Sequence, residues 1–131
     1  MLSYDEAIKF HGHNGPLLAL GYKAGVYALK KLEPEGVMGL ECSVETIGEK
    51  PYTCLIDGIQ CATCCTFGKC NIKLTDGEGI RVTFQNKKTN EKIILLPKED
   101  ILKRVLSAED LEQEAEWIKE QPISSLFSIL L

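Results

Sequence analysis

Five of the six cysteines in this sequence lie within one short stretch, residues 54–71, which reads CLIDGIQCATCCTFGKCN. The same stretch contains the carboxylate of Asp57, the hydroxyl of Thr66 and the ammonium group of Lys69. Thiolates are nucleophiles and soft metal ligands, and the other groups can transfer protons or hold anions. This density of reactive groups exceeds what packing alone requires, so we expect the chemistry of the protein to be centred here.

The first half of the stretch has the spacing of a helix. Cys54, Asp57 and Cys61 lie at positions i, i+3 and i+7 and would share one face, with Pro51 in the first turn. Residues 63–71 contain a single glycine and no apolar period. We therefore predict a tight turn that carries the following cysteines to the end of the helix.

Two histidines precede a second predicted helix. His11 and His13 stand in the segment HGHNGP, where two glycines and Pro16 interrupt any regular period, so we predict that both lie on a loop. Imidazole and thiolate together form a ligand set that suits zinc. If this loop meets the cysteine-rich stretch, the two histidines with Cys54 and Cys65 are the candidate metal ligands. The alternative is a pair of solvated or helix-capping histidines.

Position sorts the cysteines into different roles. Cys42 falls on the inward face of a predicted strand, and we predict that it packs in the core. Cys61 suits either the core or the site, whereas Cys54 and Cys65 are predicted as ligands or as a nucleophile. The spacing Cys61-x-x-Cys64, together with Cys65 and Cys70, also permits a four-thiolate zinc or iron–sulfur site. It lacks the regular repeats of a ferredoxin, so we do not favour an iron–sulfur cluster.

Asp57, Lys69 and Thr66 are the candidate catalytic residues. Asp57 lies one helical turn from Cys54, where a carboxylate can orient a histidine ligand from behind. Lys69 would lower the pKa of a neighbouring thiol or hold an anionic substrate. The alternatives are a solvated acid on a helix face and an ordinary surface lysine.

Composition excludes several classes of function. The chain has 131 residues, 44% of them hydrophobic, and a net charge of -4, which predicts one domain over residues 1–131. No basic patch indicates a nucleic-acid partner, and no apolar run approaches the roughly 18 residues of a membrane span. The start MLSYDEAIKF is acidic where a signal peptide is basic, so we expect a cytoplasmic protein. Thiols stay reduced there, which argues against disulfides.

The N-terminal part of the chain predicts two helices. A capping box of Ser3 and Glu6 begins a helix that extends to about Lys9. A longer helix follows over residues 16–31, with Asn14 as a candidate cap. Its small residues form one narrow stripe, which implies close packing against a partner helix from the same chain or from another protomer. The stripe consists of Gly21, Ala24, Gly25 and Ala28.

Strands occupy the middle of the chain and helices return after it. Alternating residues predict a strand at 40–46, and the strands predicted at 72–74, 80–84 and 92–96 are expected to form an antiparallel meander. Helices follow from Lys98, with Ser107 and Asp110 capping the second of them. The apolar tail ISSLFSILL is predicted to dock on the core or on a partner protomer.

Two segments carry a resemblance to a known family. FHGHNGPLLALGYKAG at residues 10–25 and PYTCLIDGIQCATCCTFGKCNI at residues 51–72 resemble the FmdE family, which takes its name from formylmethanofuran dehydrogenase. The likeness extends to about Leu96. It implies an α+β fold in which N-terminal helices pack on a mainly antiparallel sheet, with a core at 3–97 and a C-terminal helical segment at 98–131. It also implies an intertwined homodimer.

The resemblance further implies that the two segments converge on a zinc pocket. The protein would then be a metal-binding enzyme, or a component of one, in one-carbon metabolism of the formylmethanofuran type such as methanogenesis. It would act on a small molecule, alone or within a larger oxidoreductase complex. The alternative is a non-catalytic metal-binding or thiol-redox accessory protein. Cys64 and Cys70 stand where the family has glycine, and cysteine tolerates poorly the backbone conformations that glycine favours, so this turn is where we expect the chain to depart from the family's shape.

Overall fold

Alternating apolar and polar residues build a five-stranded sheet. The computed structural model describes residues 1–131. In β1 every second residue is buried, as the sequence pattern predicts. The sheet has the order β2-β1-β3-β4-β5. Its strands are β1 (Leu40–Thr46), β2 (Ile72–Asp76), β3 (Ile80–Asn86), β4 (Lys92–Pro97) and β5 (Phe127–Leu130).

The predicted meander is wrong at one strand. β2 precedes β3 in the chain, yet β2 pairs in parallel with β1, placing Ile72 opposite Cys42. β3 pairs with the other edge of β1 and runs antiparallel to it. The turn before β3 crosses the end of β1, where the Gly77 amide donates to the Thr46 carbonyl at 3.1 Å. The other pairings are antiparallel, so the sheet is mainly antiparallel as expected.

Helices precede, interrupt and follow the strands, which gives the predicted α+β class. None of them combines the length and the apolar character that a membrane span requires. A 3-10 helix at Phe67–Lys69 follows the third α-helix. The α-helices are α1 (Tyr4–His11), α2 (Pro16–Leu32), α3 (Cys54–Thr63), α4 (Glu99–Leu106), α5 (Leu111–Glu120) and α6 (Ile123–Leu126).

Helix ends explain where the two histidines stand. The predicted capping box is confirmed, since the Ser3 side chain accepts from the Glu6 amide and the Glu6 carboxylate accepts from the Ser3 amide. The helix continues past Lys9 and ends at Gly12, whose φ of 109° a glycine tolerates. His11 is therefore the last residue of α1 and not a loop residue. His13 lies outside the helices, as predicted.

Asn14 does not cap α2. The N-cap position belongs to Gly15, which makes no side-chain hydrogen bond, and Pro16 is the first helical residue. The Asn14 amide instead accepts from the Tyr4 hydroxyl at 2.7 Å and donates to the Glu116 carboxylate at 2.9 Å. It therefore ties α1 to α5.

The partner of the small-residue stripe on α2 is α3 of the same chain. A Cβ atom at Gly21 would lie 1.9 Å from the Leu55 carbonyl oxygen, and one at Gly58 would lie 2.2 Å from the Leu18 carbonyl oxygen. Only glycine allows the two backbones to approach so closely. This contact fixes the position of α3, and with it the position of the cysteine-rich stretch.

The apolar tail completes the sheet, and its predicted docking on the core is confirmed. β5 pairs antiparallel with β4, and the Phe127 side chain is buried. Phe127 belongs to a continuous core that also holds Leu20 of α2, Ile59 of α3 and Phe84 of β3. Burial of these side chains is the main stabilising term of the fold.

Candidate functional site

A cleft of about 400 Å³ opens beside the first residue of α3. Both predicted histidine ligands and one predicted cysteine ligand line it, together with apolar side chains from the C-terminal helices. We call it the His–Cys cleft. Its polar lining residues include His11, His13, Lys50 and Cys54, and its apolar lining includes Leu106 and Leu111.

A short hydrogen bond joins His11 to Asp57. The His11 Nδ1 atom lies 2.6 Å from the Asp57 Oδ2 atom, although 46 residues separate the two in the chain. The imidazole is only 10% exposed, and the carboxylate is 35% exposed. With Nδ1 engaged, Nε2 is the ring nitrogen left for a ligand. The contact brings Asp57 against a predicted histidine ligand, and its role in orienting a metal ligand stays a prediction.

The two histidine rings lie next to each other. Their centroids are 4.8 Å apart, with Gly12 forming the bend between them. A Cβ atom at Gly15 would lie 2.7 Å from the His13 Cε1 atom. Glycine at position 15 is therefore what allows the His13 ring to rest against the start of α2.

Cys54 is the first residue of α3, while Pro51 precedes this helix and does not stand in its first turn as predicted. Burial raises the pKa of the Cys54 thiol and Asp57 raises it further, whereas Lys50 opposes the shift. Lys50 was not predicted from the sequence as a site residue. The feature that could have indicated it is a positive charge four residues before Cys54.

The predicted set of four ligands does not come together. No three histidine, cysteine, aspartate or glutamate side chains lie close enough to form a metal-binding group. The donor types around the cleft suit zinc, since neutral imidazole and thiolate are its common ligands. Their spacing in the structure does not by itself complete a coordination shell.

Cys65 lies away from the cleft. It follows the far end of α3, whose ten residues span about 15 Å. Its side chain is fully buried, and its Sγ–H donates to the Leu40 carbonyl oxygen at 3.4 Å. Burial raises the pKa of the Cys65 thiol, although Thr63 and Lys69 both act to lower it. Lys69 thus acts in the predicted direction, but the cost of desolvation is larger.

The polar groups after α3 hold the turn together. The Thr66 hydroxyl accepts from the Lys69 ammonium group at 2.9 Å, and the Asn71 side chain accepts from the Thr66 amide at 2.8 Å. The Gln60 side chain accepts from the Phe67 amide at 2.9 Å. Packing and hydrogen bonding therefore explain much of the density of reactive groups, contrary to our expectation. Of the three candidate catalytic residues, Asp57 alone reaches a residue of the cleft.

Cys64 and Cys70 both adopt the left-handed backbone conformation. Their φ angles are 64° and 59°, and each residue terminates a helix. Glycine favours this conformation, and here cysteine adopts it at both positions.

Two further cysteines belong to the interior. Cys42 is buried as predicted, and burial raises its pKa well above the usual range. Cys61 packs with Ala7 and Leu18 in a small separate cluster between α1, α2 and α3. The alternative of a core role is therefore the one that the structure supports for Cys61.

The fold and the cleft define a class: an α+β protein whose histidine and cysteine side chains meet where α1 ends and α3 begins. Residues 10–128 match the family described as FmdE, molybdenum formylmethanofuran dehydrogenase operon. The chain belongs to this family, which confirms the resemblance and extends it beyond Leu96.

A curated relative shares part of this sequence. The chain is similar to a "Probable S-adenosyl-L-methionine-binding protein" of Archaeoglobus fulgidus, at 30% identity over 113 residues. The match covers 82% of this chain and 30% of the relative. The chain thus spans less than a third of the length of that protein.

Proposed function

We propose that this protein binds a metal ion, with zinc as the best match, through His11, His13 and Cys54. The observation that carries the proposal is the 2.6 Å contact between His11 and Asp57 at a cleft that His13 and Cys54 also line. Histidines that bind metals commonly donate their second ring N–H group to a carboxylate. Bound zinc would supply a Lewis acid or an activated water.

Each side chain has a definite part in this proposal. Asp57 holds the His11 ring in one tautomer and orientation, and Gly15 makes room for His13. Because the three donors do not form a closed group, completion of the site needs side-chain adjustment or a donor from outside the chain. Cys65 is not part of the proposed site, because it is buried behind the other end of α3.

Family membership supports a place in one-carbon metabolism of the formylmethanofuran type. We infer a role as a component or accessory of a larger oxidoreductase complex, with a small one-carbon-bearing substrate at the cleft. Binding of S-adenosylmethionine is not proposed, because the chain matches only 30% of the relative that bears that name.

A non-catalytic metal-binding component is the second candidate. The positions of Lys69 and Thr66 favour it, since they bond to each other in the turn and do not line the cleft. An enzyme would need other proton-transfer groups, and Lys50 is the cation that lines the cleft. Turnover by metal-loaded protein would distinguish the two candidates.

Metal analysis of matched cysteine variants tests the site. We expect protein purified without chelator to contain about one metal ion per site, and Cys54→Ser to lose it because a soft ligand is removed. Cys65→Ser should keep its metal and lose about 1–3 kcal/mol of stability from burying a hydroxyl. Metal only at trace level in the wild-type chain, or loss in Cys65→Ser alone, would contradict the proposal.

A further inference from the structure

A second cleft, of about 430 Å³, lies on a different face of α2 from the stripe that packs against α3. Three tyrosines and three lysines line it, and none of its lining residues is a carboxylate. We call it the Tyr–Lys cleft; the six residues are Tyr4, Tyr22, Tyr27, Lys23, Lys30 and Lys119. It shares no lining residue with the His–Cys cleft.

Hydrogen bonds hold one of the ammonium groups in place. The Lys23 Nζ atom donates to the Lys119 carbonyl at 2.9 Å and also to the Gln121 carbonyl, at the end of α5. These two bonds leave one of its three N–H groups for another acceptor. Burial lowers the pKa of Lys23, so an anion in the cleft would stabilise the charged form.

Two of the three lysines in the cleft have no carboxylate partner. Lys119 pairs with Glu116 at 3.1 Å and lies 4.8 Å above the Tyr4 ring. Lys23 and Lys30 take part in none of the ion pairs of the structure. The cleft therefore holds two ammonium groups that an anionic ligand could neutralise.

We propose that the Tyr–Lys cleft binds a small organic anion with a flat unsaturated ring, such as an aromatic carboxylate. The tyrosine rings offer flat apolar surfaces for such a ring, and Lys23 and Lys30 offer donors for the acid group. The volume lies within the range of about 300–1,000 Å³ that small-molecule sites occupy. The site is independent of the proposed metal site.

Titration with benzoate, followed by NMR, tests this site. We expect benzoate to shift the signals of Tyr22, Tyr27 and Lys30, and benzyl alcohol, a neutral analogue of similar shape, to bind more weakly. Lys30→Glu should weaken benzoate binding about tenfold, because a like charge then faces the acid. Lys92→Glu is the matched control: it makes the same change in net charge on β4, away from the cleft, and should change the affinity less than about twofold.

A second variant tests the contact with the ligand's ring and not the contact with its charge. Tyr27→Leu should weaken the binding of benzoate and leave the weaker binding of acetate unchanged. Equal binding of benzoate and benzyl alcohol, equal effects of Lys30→Glu and Lys92→Glu, or shifts confined to His11 and His13 would overturn the proposal. The proposal would also be overturned if the protein forms a dimer that Lys30→Glu dissociates and that benzoate leaves intact. The occupant of the cleft would then be a second copy of the chain.

Discussion

At the scale of single residues, the carboxylate of Asp57 is the simplest way to test the His–Cys cleft. Asp57→Asn keeps the size of the side chain and removes its charge. We expect zinc affinity to fall about 10- to 100-fold, as is typical when the partner of a ligating histidine is changed. Competition with a chelator of known affinity measures this directly.

The control for that experiment is Asp76→Asn, the same chemical change at the end of β2. It should leave zinc affinity unchanged, because the carboxylate that bonds to His11 is Asp57, and Asp76 forms no ion pair with a histidine. Similar affinities for the two variants would mean that Asp57 does not support a metal ligand.

Thiol reactivity should follow burial. Cys70 is exposed, whereas Cys42 and Cys65 are buried with raised pKa values. The thiolate is the reactive form, so we expect Cys70 to be alkylated first and the two buried thiols to react only after unfolding. Peptide mass spectrometry after timed labelling at about pH 8, close to the ordinary thiol pKa, checks the order with and without denaturant. Rapid labelling of Cys65 in the native protein would show that it is accessible and would reopen its role as a ligand.

Local sequence patterns predicted some of these residue roles and failed for others. Alternation along β1 was enough to predict the burial of Cys42, and helical spacing placed Cys54 and Asp57 on one face. Periodicity ends where α3 ends, so it contained no information about Cys65. The partner of Asp57 lies 46 residues away, and only tertiary packing brings the two together.

At the scale of secondary-structure elements, the contact between α2 and α3 places the strictest limit on side-chain size. Gly21→Ala would place a methyl group 1.9 Å from the Leu55 carbonyl oxygen, so the helices must separate. We expect a loss of about 1–3 kcal/mol in the free energy of unfolding, the usual cost of overpacking. Urea denaturation followed by circular dichroism measures it.

Gly68→Ala is the matched control, because a Cβ atom there meets no atom within 4 Å. Its free energy of unfolding should stay within about 0.5 kcal/mol of wild type. Equal losses for the two variants would mean that close helix packing does not explain the small-residue stripe.

The positions of the strands along the chain were easier to predict than the pairing between the strands. Apolar alternation located β1, β3 and β4, since a strand with one buried face shows period two. The same pattern says nothing about which strands pair, and it placed β2 beside β3 when the structure places it beside β1. The connection through α3 decides that pairing, because a helical crossover returns the chain in the same direction.

At the scale of the whole molecule, we still propose a homodimer, although two arguments for it have gone. The small-residue stripe packs against α3 of the same chain, and the apolar tail pairs with β4 of the same chain. The remaining support is exposed apolar surface beside the edge strand β2, where Phe67 is 84% exposed and Leu74 is 46% exposed. Sedimentation equilibrium at micromolar concentration should give about twice the chain mass of 14.5 kDa. A monomer would end this proposal without affecting the metal site.

The parallel pairing of β1 with β2 has a consequence for how the protein is made. All of residues 47–71, which include α3, must be synthesised before the two strands can meet. Closing this connection costs chain entropy before any contact compensates for it. Until then the Cys65 thiol lacks the cover of β1 that it has in the finished protein. Oxidative damage to this cysteine should therefore occur mainly in newly made chains and rarely in mature protein.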